Sequence, residues 1–279
     1  MHVSLWKKPA VVAVAALTAL VGAACGPQPG STEAPDKQPG VLELLASDLK
    51  GSLRKTVDTT TRTDSVTLTM KGTMGGQLVS MQGVLDLGDP IKAEMTTTNP
   101  EGTTVTMRMI GTVVFVEIPA ETRGKLGGKR WMKMDMAAVA GGKAGADVGK
   151  QFEEMDPVRQ AKTLLAIEGT TVVGQETVNG ASTVHYTVTT PVPTYLAQID
   201  SKRRTETEQT LAAQGVKELK LDLWVDEQYR PRRGGIVMGK MGDIVIDYTD
   251  YGKSVAIETP PAAQTADVAE MLGSLTADI

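Results

Sequence analysis

Residues 65–95 read SVTLTMKGTMGGQLVSMQGVLDLGDPIKAEM. Val66, Leu68 and Met70 alternate with Thr67 and Thr69. After Gly75-Gly76 the phase returns in Val79, Met81, Gly83, Leu85 and Leu87, and after Gly88-Asp89-Pro90 in Ile91, Ala93 and Met95. A period of two sends successive side chains to opposite faces, so this stretch reads as an antiparallel meander with one apolar face. Threonine dominates the other face, which suits a solvated strand surface. The pattern continues through Val105, Met107 and Met109 and through residues 113–118. Turn signals stand at Asn99-Pro100-Glu101-Gly102 and at Gly111.

Working outward, residues 131–136 supply one more short strand. Residues 41–57 change to a helical period, with Leu42, Leu45, Leu49 and Leu53 on one stripe. Residues 148–167 read as a helix divided at Pro157, which lacks an N–H. Residues 194–214 read as a polar helix. Between them, residues 170–178 and 182–190 flank Asn179-Gly180, the signature of a type I′ hairpin. Residues 217–226 alternate strictly. Leu219, Leu221, Leu223 and Val225 face one way; Lys220, Asp222, Trp224 and Asp226 face the other, where Lys220 is expected to tolerate substitution. Further strands are read at 236–241, 244–251 and 254–257, and a terminal helix at 266–275. Ten or eleven strands and three helices, grouped rather than alternating, indicate an α+β fold built on an antiparallel sheet.

The N-terminus carries a different signal. Lys7 and Lys8 precede an uncharged apolar run, residues 10–21, and Gly22-Ala23-Ala24 lead into Cys25, the one cysteine of the chain. This is the order of a secretory signal. Its apolar core is too short to span a hydrocarbon layer of ~30 Å. Residues 26–40 (GPQPGSTEAPDKQPG) are rich in Pro, Gly and small polar residues and read as a flexible tether. The expected organisation is a signal peptide over 1–24, a tether over 25–40, one domain over 41–262 and a tail over 263–279.

Composition narrows the function. Of 279 residues, 33 are acidic and 29 basic, a formal charge of −4. A mildly acidic chain lacks the dense basic surface of a nucleic-acid binder. One cysteine excludes an intrachain disulfide. Only two histidines occur, one of them, His185, in the mature chain, so no histidine-based metal site and no cofactor are expected. His185 is read as a packing or surface residue. Residues 141–150 are Gly-rich, yet Ala144 and Gln151 stand where a P-loop needs Gly and Ser or Thr. No G-x-S-x-G elbow is present, and Glu153, Glu154 and Asp156 read as a solvated helix face. The chain therefore reads as a binding protein rather than an enzyme. Basic residues gather at 123–130, 202–204 and 230–233. They serve solubility and edge protection, with contact to anionic headgroups as the alternative. Methionine is abundant, at 14, while aromatic residues make up 4%.

Two resemblances follow. Ala23-Ala24-Cys25 resembles the lipobox of bacterial lipoproteins, with Gly22 where Leu is usual; the resemblance implies a diacylglyceryl-modified Cys25 at the mature N-terminus. The C-terminal third, with Leu221-Asp222-Leu223-Trp224-Val225-Asp226, Arg230-Pro231-Arg232-Arg233, Asp247-Tyr248-Thr249-Asp250-Tyr251-Gly252-Lys253 and Pro260-Pro261-Ala262, resembles the LppX/LprG family of actinobacterial lipoproteins, itself similar to the LolA/LolB group. That resemblance covers about residues 41–262. It implies a strongly curved antiparallel half-barrel with helices over its concave face, and an apolar cavity for acyl chains of a lipid or lipoglycan. It also implies a monomer held to the extracytoplasmic face of the cell membrane, with a membrane transporter as a further partner. The family carries no catalytic motif. From the alternation phase, Leu49, Leu53, Met70, Met81, Met107, Met109, Leu221 and Leu223 are the expected cavity-lining residues. The competing expectation is a sensory lipoprotein of the same fold that recognises a protein partner through an open groove or apolar patch.

Overall fold

A computed structural model of the chain describes residues 40–98, 102–138 and 155–270. The signal peptide, Cys25, the tether, the Gly-rich run at 141–150 and the Glu153-Glu154 pair lie outside them.

Twelve strands form one sheet: β1 (Ser65–Met74), β2 (Gln77–Asp86), β3 (Lys92–Thr98), β4 (Thr104–Ile110), β5 (Val113–Glu117), β6 (Trp131–Asp135), β7 (Thr171–Val178), β8 (Ala181–Pro191), β9 (Glu218–Asp226), β10 (Pro231–Val237), β11 (Gly242–Thr249) and β12 (Thr265–Asp267). Their spatial order is β12-β6-β5-β4-β3-β2-β1-β11-β10-β9-β8-β7. The sheet is curved and unclosed, and every pairing is antiparallel except β12 with β6. The N-terminal meander and the C-terminal meander join through β1 and β11, where Leu68 stands opposite Tyr248 and Met70 opposite Ile246.

The helices are α1 (Val41–Ser47), α2 (Leu49–Thr60), α3 (Pro157–Ala166), α4 (Val192–Leu196) and α5 (Ser201–Ala213). The single helix expected at 41–57 is two. Asp48 leaves helical geometry (φ −118°, ψ 75°) and its carboxylate caps α2 by accepting from Gly51 N at 3.0 Å. The break still leaves Leu45 and Leu53 fully buried. Pro157 opens α3 at its first turn, where a missing N–H costs nothing, and Asp156 caps it through Val158 N at 2.8 Å. The helix expected at 194–214 is likewise two, because Ile199 turns into the core between them.

Three strand expectations are corrected. β10 begins at Pro231, five residues before the expected start, since Gly234-Gly235 hides the alternation; residues 239–241 form a 3-10 turn. Residues 254–257 make no ladder, although Ile257 is buried. Part of the expected terminal helix is β12, whose three residues are too few for a period to show. It raises the count to twelve strands.

Register puts most of the apolar residues of the meanders on one face, with Phe115, Val245 and Trp224 on the other. Two clusters cover the former. One gathers Leu45, Leu53, Ala161 and Leu164 over Tyr186, Leu223 and their neighbours on β8 and β9. The other gathers Leu196, Ile199 and Leu211 with Leu68, Leu85, Met95, Met109 and Tyr248. The helices pack chiefly on β7–β10.

Candidate functional site

The inner face of β1–β6 is built from methionine. Met70 stands opposite Met81 across β1 and β2, and Met95 opposite Met107 across β3 and β4. Met109 adjoins Val114, which in turn adjoins Met134 on β6. Gly83 lies among them without a side chain. A Cβ there would collide with Met95 Sδ, so the glycine is what lets that thioether lie across the strand. Two tiers result. Met95 and Met109 are 2% and 1% exposed, whereas Met70, Met81, Met107 and Met134 are partly buried at the surface of the cluster.

The expected lining residues thus divide. Met70, Met81, Met107 and Met109 come together on this face. Leu53 on α2 and Leu223 on β9 are fully buried where the helices meet β8 and β9, and Leu49 packs at the margin of that cluster. Leu221 is buried in the same cluster as Leu53 and Leu223. It borders a cleft of about 160 Å³ under α3, lined also by Leu164, Tyr195, Ile199, Ile236 and Ile246. Tyr195 and Ile236 belong to both clusters, so the cleft marks their seam. Among the described residues this cleft is smaller than the ~300–1,000 Å³ of a usual small-molecule pocket, and the methionines Met70, Met81, Met107 and Met134 stand apart from it, partly buried against the other cluster. Met95, Met134, Tyr195, Ile236 and Ile246 were missed as neighbours of the site. The strands of four of these were read correctly or nearly so, and Tyr195 falls in the helix expected at 194–214, but which elements meet across the sheet is not written in any local period.

Two buried tyrosines anchor the inner layer differently. Tyr186 Oη donates to Leu45 O at 2.7 Å, tying β8 to α1. Among the described residues, Tyr248 Oη has no hydrogen-bond partner. Burial pushes both phenols well above their ordinary range.

The outer face carries a polar constellation on β7–β9. His185 is buried, with Nδ1 2.9 Å from Glu176 Oε1 and Nε2 2.8 Å from Asp222 Oδ1. Its ring stacks on Trp224 at 4.0 Å between centroids, and Trp224 Nε1 donates to Glu176 Oε2 at 2.8 Å. Hydrogen bonds from Trp224 and then His185 hold Glu176 below its usual range. Burial pushes Asp222 up, but bonds from Thr187, His185 and Lys220 together bring it below the usual range. His185 is therefore a packed cross-strand residue. Lys220 is not indifferent: its Nζ lies 3.0 Å from Asp222 Oδ2. The basic runs are likewise committed to structure in part. Arg123 and Arg130 pair with Glu117, Arg232 with Asp226 and Arg233 with Asp247.

No family model matches the chain. A candidate lipoprotein of Streptomyces coelicolor, SCO4650, is 30% identical over 242 residues, spanning 80% of this chain and 76% of its own length. This chain belongs to the same lipoprotein family. An uncharacterized 31.2 kDa protein of Streptomyces griseus is 32% identical over 155 residues, covering 52% of this lipoprotein and 50% of that protein. The crystal structure of Mycobacterium tuberculosis lipoprotein LppX superposes with a TM-score of 0.52 at 16% identity, covering 76% of this lipoprotein and all of LppX. At that identity the likeness is one of fold. Among the described residues of the lipoprotein, no helix is long and apolar enough to cross a membrane.

Proposed function

We propose that this lipoprotein is anchored through a diacylglyceryl group on Cys25 to the extracytoplasmic face of the cell membrane, and that it binds acyl chains of a lipid or lipoglycan against its methionine-lined inner face. The observation that carries the reading is the two-tier arrangement: a buried floor of Met95 and Met109 beneath partly exposed Met70, Met81, Met107 and Met134. Unbranched thioethers re-pack around chains of different length. Each methylene removed from water contributes about 0.8 kcal/mol. The proposed role is binding, and carriage of the bound lipid across the envelope is its proposed extension. The test is titration of the purified full chain, stripped of lipid, with a fluorescent fatty acid. Saturable binding that Met70→Ser and Met107→Ser weaken supports the reading; no saturable binding removes it.

One observation favours a second reading. The methionine face is open among the described residues, and open apolar faces also receive protein segments. On that reading an apolar peptide, not a fatty acid, saturates the same face and competes with none of the lipids.

A further inference from the structure

One buried carboxylate fixes the turn between β9 and β10. Asp226, 1% exposed, accepts through Oδ1 from Gln228 N at 2.9 Å and Arg230 N at 3.0 Å, and through Oδ2 from Arg232 Nε at 2.6 Å. Tyr229 is held at φ 57°, a left-handed conformation that a bulky residue keeps only where its surroundings impose it. Tyr251 Oη braces the same turn by donating to Pro231 O at 2.6 Å. This rigid arch carries Gln228 and Arg230 to the rim of a shallow pocket of about 290 Å³, whose opposite rim is Thr59, Arg62, Thr63 and Asp64 at the end of α2. Arg232 and Arg233, next in the chain, are neutralised by Asp226 and Asp247. Among the described residues, Arg62 and Arg230 make no ion pair. Arg62 Nε donates to Asp58 O at 3.1 Å, which leaves its two terminal amino groups to the pocket. Two guanidiniums and one carboxylate give the lining one net positive charge. Asp58 and Glu227 stand on the same elements but outside the lining. So do Lys55, over the Tyr229 ring at 4.0 Å, and Lys253, paired with Asp250 at 2.6 Å.

We infer that this pocket binds a phosphate ester, held between the guanidiniums of Arg62 and Arg230. A carboxylate offers two oxygens, which one guanidinium fork fills; a phosphate group offers three peripheral oxygens and takes two forks at once. The Gln228 amide and the hydroxyls of Thr59 and Thr63 add neutral donors at the same rim. Asp64 sets a limit on affinity by placing a like charge beside the ligand. Met70, Met81, Met107 and Met109 do not line the pocket, so binding here requires no acyl chain. A soluble phosphate monoester and a phosphate headgroup at a membrane surface share this chemistry.

The test titrates the full chain, at low ionic strength where exposed charges are least screened, with two probes. Glycerol 3-phosphate is followed by phosphorus NMR, and phosphatidylcholine vesicles containing phosphatidylglycerol are followed by co-sedimentation. Saturable binding of at least one probe is expected, weakened on the order of ten-fold by Arg62→Gln and by Arg230→Gln, as for the loss of a charged hydrogen-bond donor. Arg62→Lys and Arg230→Lys keep the charge and lose the fork, so they should weaken it less; they also stand in should a Gln variant melt early. Asp64→Asn should tighten binding. Arg54→Gln, exposed on the same helix and outside the pocket, should leave it unchanged. Binding of the soluble ester supports the inference with a free phosphate as ligand, and binding of the vesicles alone supports it with a headgroup. Binding of neither probe, or binding that Arg54→Gln weakens as much as the pocket variants do, overturns it. Titration with the fluorescent fatty acid, which Arg62→Gln and Arg230→Gln should leave unaltered, keeps that failure separate from failure of acyl binding.

Discussion

Met107 on β4 stands directly opposite Met95 on β3, and the two residues have opposite relations to solvent: Met95 is 2% exposed, Met107 only partly buried. The same residue type, on paired positions of one face, belongs in one case to the core and in the other to its surface. Met95→Ala should cost about 2–5 kcal/mol, the usual range for emptying a buried methionine site, with acyl affinity falling only as the fold loosens. Met107→Ala should cost much less stability and lower acyl affinity at temperatures where the protein is fully folded. Denaturant melts alongside ligand titrations separate the two, and equal stability losses would show that the tiers are not distinct.

The tyrosines give a second contrast. Tyr186→Phe removes the donor to Leu45 O and leaves a buried carbonyl unsatisfied, at about 1–2 kcal/mol. Tyr248→Phe removes a hydroxyl that has no partner among the described residues, and should be neutral or stabilising. Urea midpoints of the two variants check the order; a larger loss for Tyr248→Phe would mean its hydroxyl is satisfied by a group the account omits.

How much of this was legible beforehand varies with the length of the signal. The meander from Val66 to Met109, the Asn179-Gly180 hairpin and the Leu219–Val225 alternation all emerge from period and turn chemistry, because each spans several repeats. Three-residue β12 has no period to read, and Gly234-Gly235 erased that of β10. The methionine set was readable as a phase. Its division into floor and surface was not, since that depends on which helices cover which strands.

Lys220 and Leu221 are neighbours on opposite faces of β9. Leu221→Asp places a carboxylate in the apolar cleft and should unfold the domain or abolish ligand binding. Lys220→Asp sets a second negative charge beside the buried Asp222 and should destabilise as well, by about 1–3 kcal/mol, whereas Lys220→Met should be milder. Thermal melts rank the three; a Lys220→Asp protein as stable as the parent would show that the pair with Asp222 has no energetic role.

The carboxylates around His185 make stability depend on pH in a defined direction. Glu176 and Asp222 are both held below their ordinary values in the folded chain. A lowered folded value means the contribution is complete above the ordinary carboxylate range, near pH 4, and is lost as the pH falls through the depressed values. Melting from pH 7 to pH 2.5 should show that loss, and Glu176→Gln should flatten part of it. An unchanged acid limb in the variant would remove Glu176 from the account.

Anchoring has its own check. Cys25→Ser should block lipidation, leaving uncleaved precursor or protein shed from the membrane fraction. A variant that matures and fractionates like the parent would end the claim for that residue.

The central claim is that acyl chains occupy the inner face, and native mass spectrometry of the protein purified from its own membrane tests it most directly. The account predicts a covalent lipid increment together with a further, non-covalent mass that dissociates on mild activation and shrinks in occupancy in Met107→Ser. A protein that carries the covalent increment alone, takes up no added fatty acid and shows no change in Met107→Ser would contradict it.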